Sequence, residues 1–430
     1  MNLRLALACA GVLWADQPPP VLETQALARF ARKLSDTSGV VRVYHIGDSH
    51  VQGAVFASEL RRLFQAGVGD AGRGLAFAHR SVGTNGSGEM VWTGDGPWVA
   101  SNALRRENCM PWGMAGWSLA GLDSTRGLQL APRASAPEGM FRSRTAWVLG
   151  QGVRMEAVDS CDSLAPTVRR CTFPERDTFR LVLDSFPARF DGLLLENGRD
   201  GLVWAEAGVN GLSWNELSRP SRMWEQLNAW APDLVVVSLG TNDAFAKGYS
   251  PESFRAAVTA GVDNIRRAAP GAEVVLVLPP DHALRVRRRR YADNPRILSV
   301  ESVMRERCGE LSVACVELRS LQGGAGAWKE WLARGLLNAD HVHYTAAGYR
   351  EQAGLIHGAL MDALKSLPDS LVRAAGSPVD STALAVRDAF LRGQDSLLST
   401  RTWSEPKIQK PKPPRKPKRF RRFPRFRRPR

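Results

Sequence analysis

Cysteine is scarce in this chain, with six among 430 residues. Five of them, Cys109, Cys161, Cys171, Cys308 and Cys315, lie beyond residue 15. An odd number defines no disulfide framework, and none of the spacings is a zinc pattern. Long apolar runs are also missing. The run Leu5 to Ala15 is far too short to span a bilayer, and no other stretch is long enough, so no transmembrane helix is expected. The body of the chain has little net charge. The formal value is +15, but Ser404 to Arg430 carries 13 Lys/Arg against the single acid Glu405, which leaves only +3 for everything before it. Any argument about acidic partners therefore concerns the tail.

What is present suits a globular protein. The length favours two domains plus tails, and an apolar fraction of 44% allows a sizeable core. Residues 1–15 read as an export signal: Arg4 supplies the charge, Leu5 to Ala15 the apolar segment, and Ala8-Cys9-Ala10 a small-x-small cleavage site. An ordinary first helix is the competing reading. Export would place the protein in the periplasm or cell envelope. It would also favour a bridge between Cys161 and Cys171 across a hairpin, the alternative being small buried thiols. The tail 404–430 holds seven prolines and few aliphatics, so it is expected to stay extended and solvated. Phe420, Phe423 and Phe426 sit among its arginines. That composition suits anionic envelope polymers or lipid head groups. Nucleic acid is not the expected partner of an exported protein, and a dispensable solubilising extension is the bland alternative.

Strands and helices alternate on both sides of a central irregular stretch. Val41–Ile46, Leu234–Leu239, Glu273–Leu278 and Ser312–Glu317 read as buried strands. Val51–Gln65, Pro251–Ala268 and Ala346–Leu364 read as helices. This alternation implies a parallel, doubly wound α/β sheet. Between about Gly74 and Asp200 the pattern changes to short apolar runs, Thr145–Leu149, Thr178–Leu183 and Gly192–Leu195. These are expected to form an inserted β-sandwich-like domain at 76–199, with elaborated loops as the alternative. The α/β domain then spans 16–75 and 200–367, and 368–403 reads as a linker.

Three turns in the α/β part carry reactive residue types: Gly47-Asp48-Ser49-His50, Gly240-Thr241-Asn242-Asp243 and Asp340-His341-Val342-His343. A serine hydroxyl needs a base, an imidazole suits that role, and an aspartate three residues before a histidine can orient it. Asn242 and the backbone N–H groups of Ser49 and a nearby glycine are suitable donors to an oxyanion. Gly208-Val209-Asn210-Gly211 supplies such a glycine.

These four blocks, in this order, resemble those of the SGNH/GDSL hydrolase superfamily. The resemblance implies a flavodoxin-like three-layer α/β/α fold and ester hydrolysis through an acyl-enzyme, with no cofactor. It assigns Ser49 as nucleophile, Asp340 and His343 as the rest of the triad, and Ser49, Gly211 and Asn242 to the oxyanion hole. Histidine follows Ser49 where leucine is usual. This variant, with Phe190-Asp191-Gly192, Glu196-Asn197-Gly198 and Gly323-Gly324…Trp328…Trp331, is similar to peptidoglycan O-acetylesterases, whose insertion resembles a carbohydrate-binding module.

Plainer roles compete at several positions. Asp48 reads as a turn-former and Asp243 as a brace for the Asn242 loop. His45 and His50 read as structural. His341-Val342-His343 has metal-pair spacing, but no carboxylate or cysteine set accompanies it, so no metal is expected. Trp92, Trp98, Trp112, Trp117 and Trp147 are candidates to stack on sugar, though most tryptophans are core. Arg287 to Arg290 reads as a solvated loop that could also meet an anionic substrate. The leading function is removal of O-acetyl groups from cell-wall glycan. The alternatives are another ester or thioester substrate, acetyl transfer, or a non-catalytic envelope-binding protein.

Overall fold

The computed structural model describes residues 19–36, 38–104, 111–122, 125, 127–288, 290–376 and 381–399. The expected export signal, Cys109 and the basic tail lie outside them.

Seven strands form the central sheet: β1 (Val21–Leu22), β2 (Val40–Gly47), β3 (Asp70–Gly72), β4 (Gly201–Gly208), β5 (Leu234–Ser238), β6 (Glu273–Val277) and β7 (Ala314–Val316). Their order is β1-β7-β6-β5-β2-β4-β3. Every pairing is parallel except that of β1 with β7. The inner strands are β-branched and buried on both faces, as strands covered by two layers must be. On one face pack α1 (Ala28–Ser35), α2 (Val55–Val68) and, later in the chain, the helix Ala346–Lys365, through Phe30, Phe64, Ile356 and Leu360. On the other pack α3 (Pro251–Ala268) and α4 (Arg296–Leu311), through Val258, Ile265, Val300 and Met304. The result is the α/β/α layering expected from the sequence. The Ala346–Lys365 helix is α5.

The segment between β3 and β4 forms two antiparallel sheets. One orders Val153–Met155, Phe179–Leu183, Gly127–Pro132 and Met90–Asp95. The other orders Ser160–Ala165, Val168–Arg176, Ser143–Gln151, Arg189–Glu196, Trp117–Gly121 and Trp98–Asn102, with Gly74–Ala76 also paired to Arg189–Glu196. The sheets share a core in which Phe173 meets Phe179 at 5.6 Å and Trp92 meets Phe190 at 5.4 Å. That core continues into the α3/α4 face of the central sheet. Cys161 and Cys171 stand opposite each other on neighbouring strands and are bonded, with Cα atoms 4.1 Å apart. Cys308 and Cys315 form a second bonded pair that the sequence reading did not propose.

Two local expectations change. The helix read as starting at Val51 is two pieces, Ser49–Gln52 and α2, parted at Ala54, whose φ is +62°. The stretch read as a linker carries the helices Asp369–Ala374 and α6 (Ser381–Ser399). Phe390 of α6 packs on Trp224 at 6.2 Å, so an apolar contact holds that helix to the body.

Candidate active site

Strand register brings three turns to one edge. Gly47 of β2 lies opposite Gly208 of β4 on one side and Ser238 of β5 on the other. Residues 48–49, 209–211 and 239–242 therefore leave the sheet side by side. They do so where chain order reverses about β2, the usual place for ligands in an open parallel sheet. Close packing explains two of the glycines. A Cβ at Gly47 would lie 2.3 Å from Val51 Cγ2, and one at Gly208 would lie 2.2 Å from the Gln52 nitrogen.

Ser49 opens its short helix, and Asp48 caps it by accepting the His50 N–H at 2.9 Å. Ser49 Oγ is 2.8 Å from His343 Nε2. His343 Nδ1 is 2.8 Å from Asp340 Oδ2. Asp340 Oδ1 accepts the N–H groups of Val342 at 3.0 Å and His343 at 2.9 Å. Burial alone would raise the Asp340 carboxyl, but these hydrogen bonds and the imidazole outweigh it and hold it below its ordinary value. Serine, imidazole and carboxylate thus form a hydrogen-bonded relay, the arrangement that activates a hydroxyl for attack on an acyl carbon.

The residues expected to donate to an oxyanion lie on the two neighbouring turns. Gly211 has φ +92°, and its N–H has no acceptor among the described residues. Asn242 Nδ2 donates to Asp48 Oδ2 at 3.2 Å and to the Leu212 carbonyl at 3.0 Å. Asp243 accepts the Trp214 N–H at 3.3 Å and so braces this loop. Burial pushes both Asp48 and Asp243 up to about 7.

The GDSL-like Lipase/Acylhydrolase family matches residues 177–351. The chain carries a GDSL-like acylhydrolase domain, that of a carboxylic-ester hydrolase. The match contains Gly211, Asn242, Asp340 and His343, while Ser49 lies before it. No curated protein sequence matches the chain. Among solved structures, a peptidoglycan O-acetylesterase is similar over 81% of this chain and 100% of its own, with a TM-score of 0.70 and 19% identity. A carbohydrate esterase family 3 protein from Talaromyces cellulolyticus is similar over 76% of this chain and 100% of its own, with a TM-score of 0.35 and 14% identity. An acetyl xylan esterase covers 37% of this chain and 80% of its own, with a TM-score of 0.30 and 20% identity.

Around Ser49 and His343 the other histidines are accounted for by packing. Burial lowers His45 and His50 to about 3, so both are neutral. His50 Nδ1 meets Tyr349 Oη at 3.0 Å, and its ring centre lies 5.4 Å from that of His343. His341 has φ +62° and stacks on Tyr291 at 3.6 Å. Among the described residues no group of three or more His, Cys, Asp or Glu could hold a metal ion. Trp112, Trp117 and Trp147 are buried, and Trp92 and Trp98 are half-buried against the core, so none of the five stands out as a sugar platform.

The sequence reading missed Gln52. It is buried, accepts the Asn210 N–H at 2.6 Å, and donates to Thr84 Oγ1 at 2.7 Å and the Asn85 carbonyl at 2.8 Å. Gln52 thereby ties the loop that carries Gly211 to a loop of the insertion. Its only signal was position, three residues after Ser49. A cleft of about 820 Å³ lies between α2 and the insertion, lined by Ala54, Arg61, Glu89, Arg199 and Arg350. Ser49, His343 and Asp340 do not line it.

Proposed function

We propose that the chain removes O-acetyl groups from cell-wall glycan, peptidoglycan foremost, by serine catalysis. The observation that carries this reading is the 2.8 Å contact of Ser49 Oγ with His343 Nε2, continued to Asp340. Likeness along the whole length of a peptidoglycan O-acetylesterase supports the choice of substrate.

In this reading Ser49 Oγ attacks the ester carbonyl carbon as His343 Nε2 takes its proton. Asp340 holds the ring's tautomer and stabilises the imidazolium. The negative charge on the carbonyl oxygen is met by the N–H groups of Ser49 and Gly211 and by the Asn242 amide, which exchanges one of its present partners for the oxygen. Collapse breaks the bond to the sugar oxygen, which leaves with the proton from His343. Water, deprotonated by the same ring, then releases acetate and restores Ser49. The insertion borders the Gly211 turn through Thr84, Asn85 and Leu104, and a Cβ on Gly211 would sit 3.2 Å from Leu104 Cδ1. Export would bring enzyme and substrate together, and the cations after Ser404 would hold the enzyme to anionic envelope polymers or lipid head groups.

The test is acetate release from O-acetylated peptidoglycan, compared with acetylated xylan and long-chain esters, with Ser49→Ala as control. Preference for long-chain esters would overturn the glycan assignment. Acetate release by Ser49→Ala at the native rate would overturn the mechanism.

A further inference from the structure

Val277 of β6 stands opposite Ser238 of β5, in line with Gly47 of β2. The chain that follows β6 therefore emerges at the same edge as Ser49 and Asn242. It forms a two-stranded hairpin, Ala283–Arg287 with Arg290–Asp293. The hairpin's base is held on two sides. Towards the Asn242 loop, Asn294 Nδ2 donates to the Ala244 carbonyl at 3.4 Å, and the His282 ring stacks on Phe245 at 5.1 Å. Towards the His343 loop, the Ala283 N–H donates to the His341 carbonyl at 3.0 Å, and Tyr291 stacks on His341. Trp328 Nε1 donates to Asp293 Oδ1 at 2.6 Å. The hairpin is thus anchored between the two loops that supply Asn242 and His343.

Four of its exposed side chains are arginines, against one exposed acid, Asp293, which accepts from Trp328. Arg285, Arg287, Arg288 and Arg290 are exposed and have no ion pair among the described residues. Arg287 pairs directly with Arg290 across the ladder, an arrangement that disfavours the ribbon. Arginines elsewhere in the fold are commonly paired, as Arg42 is with Glu196 and Arg319 with Glu301. Nothing in the packing of this hairpin calls for its charge.

We propose that this hairpin is an anion-recognition arm of the active site, which takes carboxylate or phosphate groups carried by the acylated glycan. Guanidinium forks bind such oxyanions in pairs of hydrogen bonds, and a rim of four cations with a single, hydrogen-bonded acid concentrates an anionic polymer there. The inference rests on the esterase reading above and adds the charge of its substrate.

The experiment uses the full chain, with the tail left intact so that its cations are common to every protein compared. kcat/KM is measured on acetylated pectin, whose backbone bears carboxylates, and on neutral acetylated xylan, at low and high salt. The native protein should favour pectin, and salt should erase the preference, because screening reaches about 8–10 Å at physiological strength. R285Q/R287Q/R288Q/R290Q should cut the pectin-to-xylan ratio by about tenfold or more, and lysine at the same positions should restore much of it. An equal loss on both polymers, or a ratio insensitive to salt and substitution, would overturn the proposal. Polygalacturonate and polyphosphate are added as competitors to distinguish carboxylate from phosphate recognition, and inhibition by neither would count against the arm. If peptidoglycan releases no acetate while the pectin preference responds to the arginines, the substrate assignment fails and the arm stands. If peptidoglycan is cleaved but the arginines change nothing, the reverse holds.

Discussion

The Asn242 side-chain nitrogen lies 3.2 Å from Asp48 Oδ2, which joins the turn after β5 to the turn after β2. With the Leu212 carbonyl as second acceptor, both amide hydrogens are engaged and the group is held rigid before any substrate arrives. In the proposed mechanism one of these bonds is exchanged for the oxyanion while the other keeps the amide in place. Asn242→Ala should therefore lower kcat by about 10²–10³, roughly 2.7–4 kcal/mol, with little change in KM. Steady-state kinetics on a soluble acetyl ester would measure this, and an unaltered kcat would remove Asn242 from the oxyanion hole.

Ser49→Ala and His343→Ala should each abolish turnover, because the members of such a relay act as one unit. His341→Asn should cost less than about tenfold, since asparagine tolerates the left-handed backbone found there. If the His341 variant were the inactive one, the Asp340–His343 loop would have been read in the wrong register.

Gln52 should behave as a positioning residue. Gln52→Ala removes its bonds to Asn210, Thr84 and Asn85 and should cost about 1–3 kcal/mol of stability in a urea titration. Gln52→Glu keeps an acceptor for the Asn210 N–H but loses the donor to the insertion. It should retain more kcat than Gln52→Ala while its KM for polymer rises. Identical kinetics for the two variants would mean that the bond to the Asn210 N–H does not matter for catalysis.

Asp48 and Asp243 give stability a distinctive pH dependence. Burial raises both to about 7 in the folded protein from an ordinary 3.8. Between those values the folded state binds the extra protons, so their contribution is fully present below about pH 4 and is lost as pH rises through about 7. The buried His45, His50, His79 and His282, lowered to about 3 or 4, act in the opposite sense. The comparison must therefore be differential. Relative to Asp243→Asn, the native protein should lose stability between pH 5 and pH 8, by a few kcal/mol at most. Parallel urea midpoints across that range would contradict the burial argument.

Two of the three reactive turns were legible because each follows an apolar strand and carries its own glycine, and the third by its Asp-x-x-His spacing before a helix. Gly47 precedes Ser49 by two residues and Gly240 precedes Asn242 by two, and both were readable from one short stretch of sequence. Gln52 was not, because its meaning depends on Asn210, 158 residues away, and on a loop of the insertion. The short strands of the insertion were visible as apolar runs, but their partners were not. Pairing Arg189–Glu196 with both Ser143–Gln151 and Gly74–Ala76 is set by packing rather than by local pattern. Likewise the composition of 368–403 suggested a linker, whereas α6 depends on a contact such as Phe390 on Trp224 that only the folded chain makes. Arg287–Arg290 read as a loop because four like charges hide a ladder whose base is fixed by Tyr291 and Asp293.

Ser49 and His343 touch across 294 positions of sequence. A ribosome adding about 5–20 residues per second takes roughly 15–60 s to travel from one to the other. For that whole interval Ser49 is an ordinary alcohol, without base or orienting carboxylate. On the proposed roles esterase chemistry cannot begin on the growing chain, and a product cut short before Asp340 would contain the proposed nucleophile yet be inert. Reactivity is thus delayed by the order in which the fold is written, and it waits on a loop that follows the last strand of the sheet.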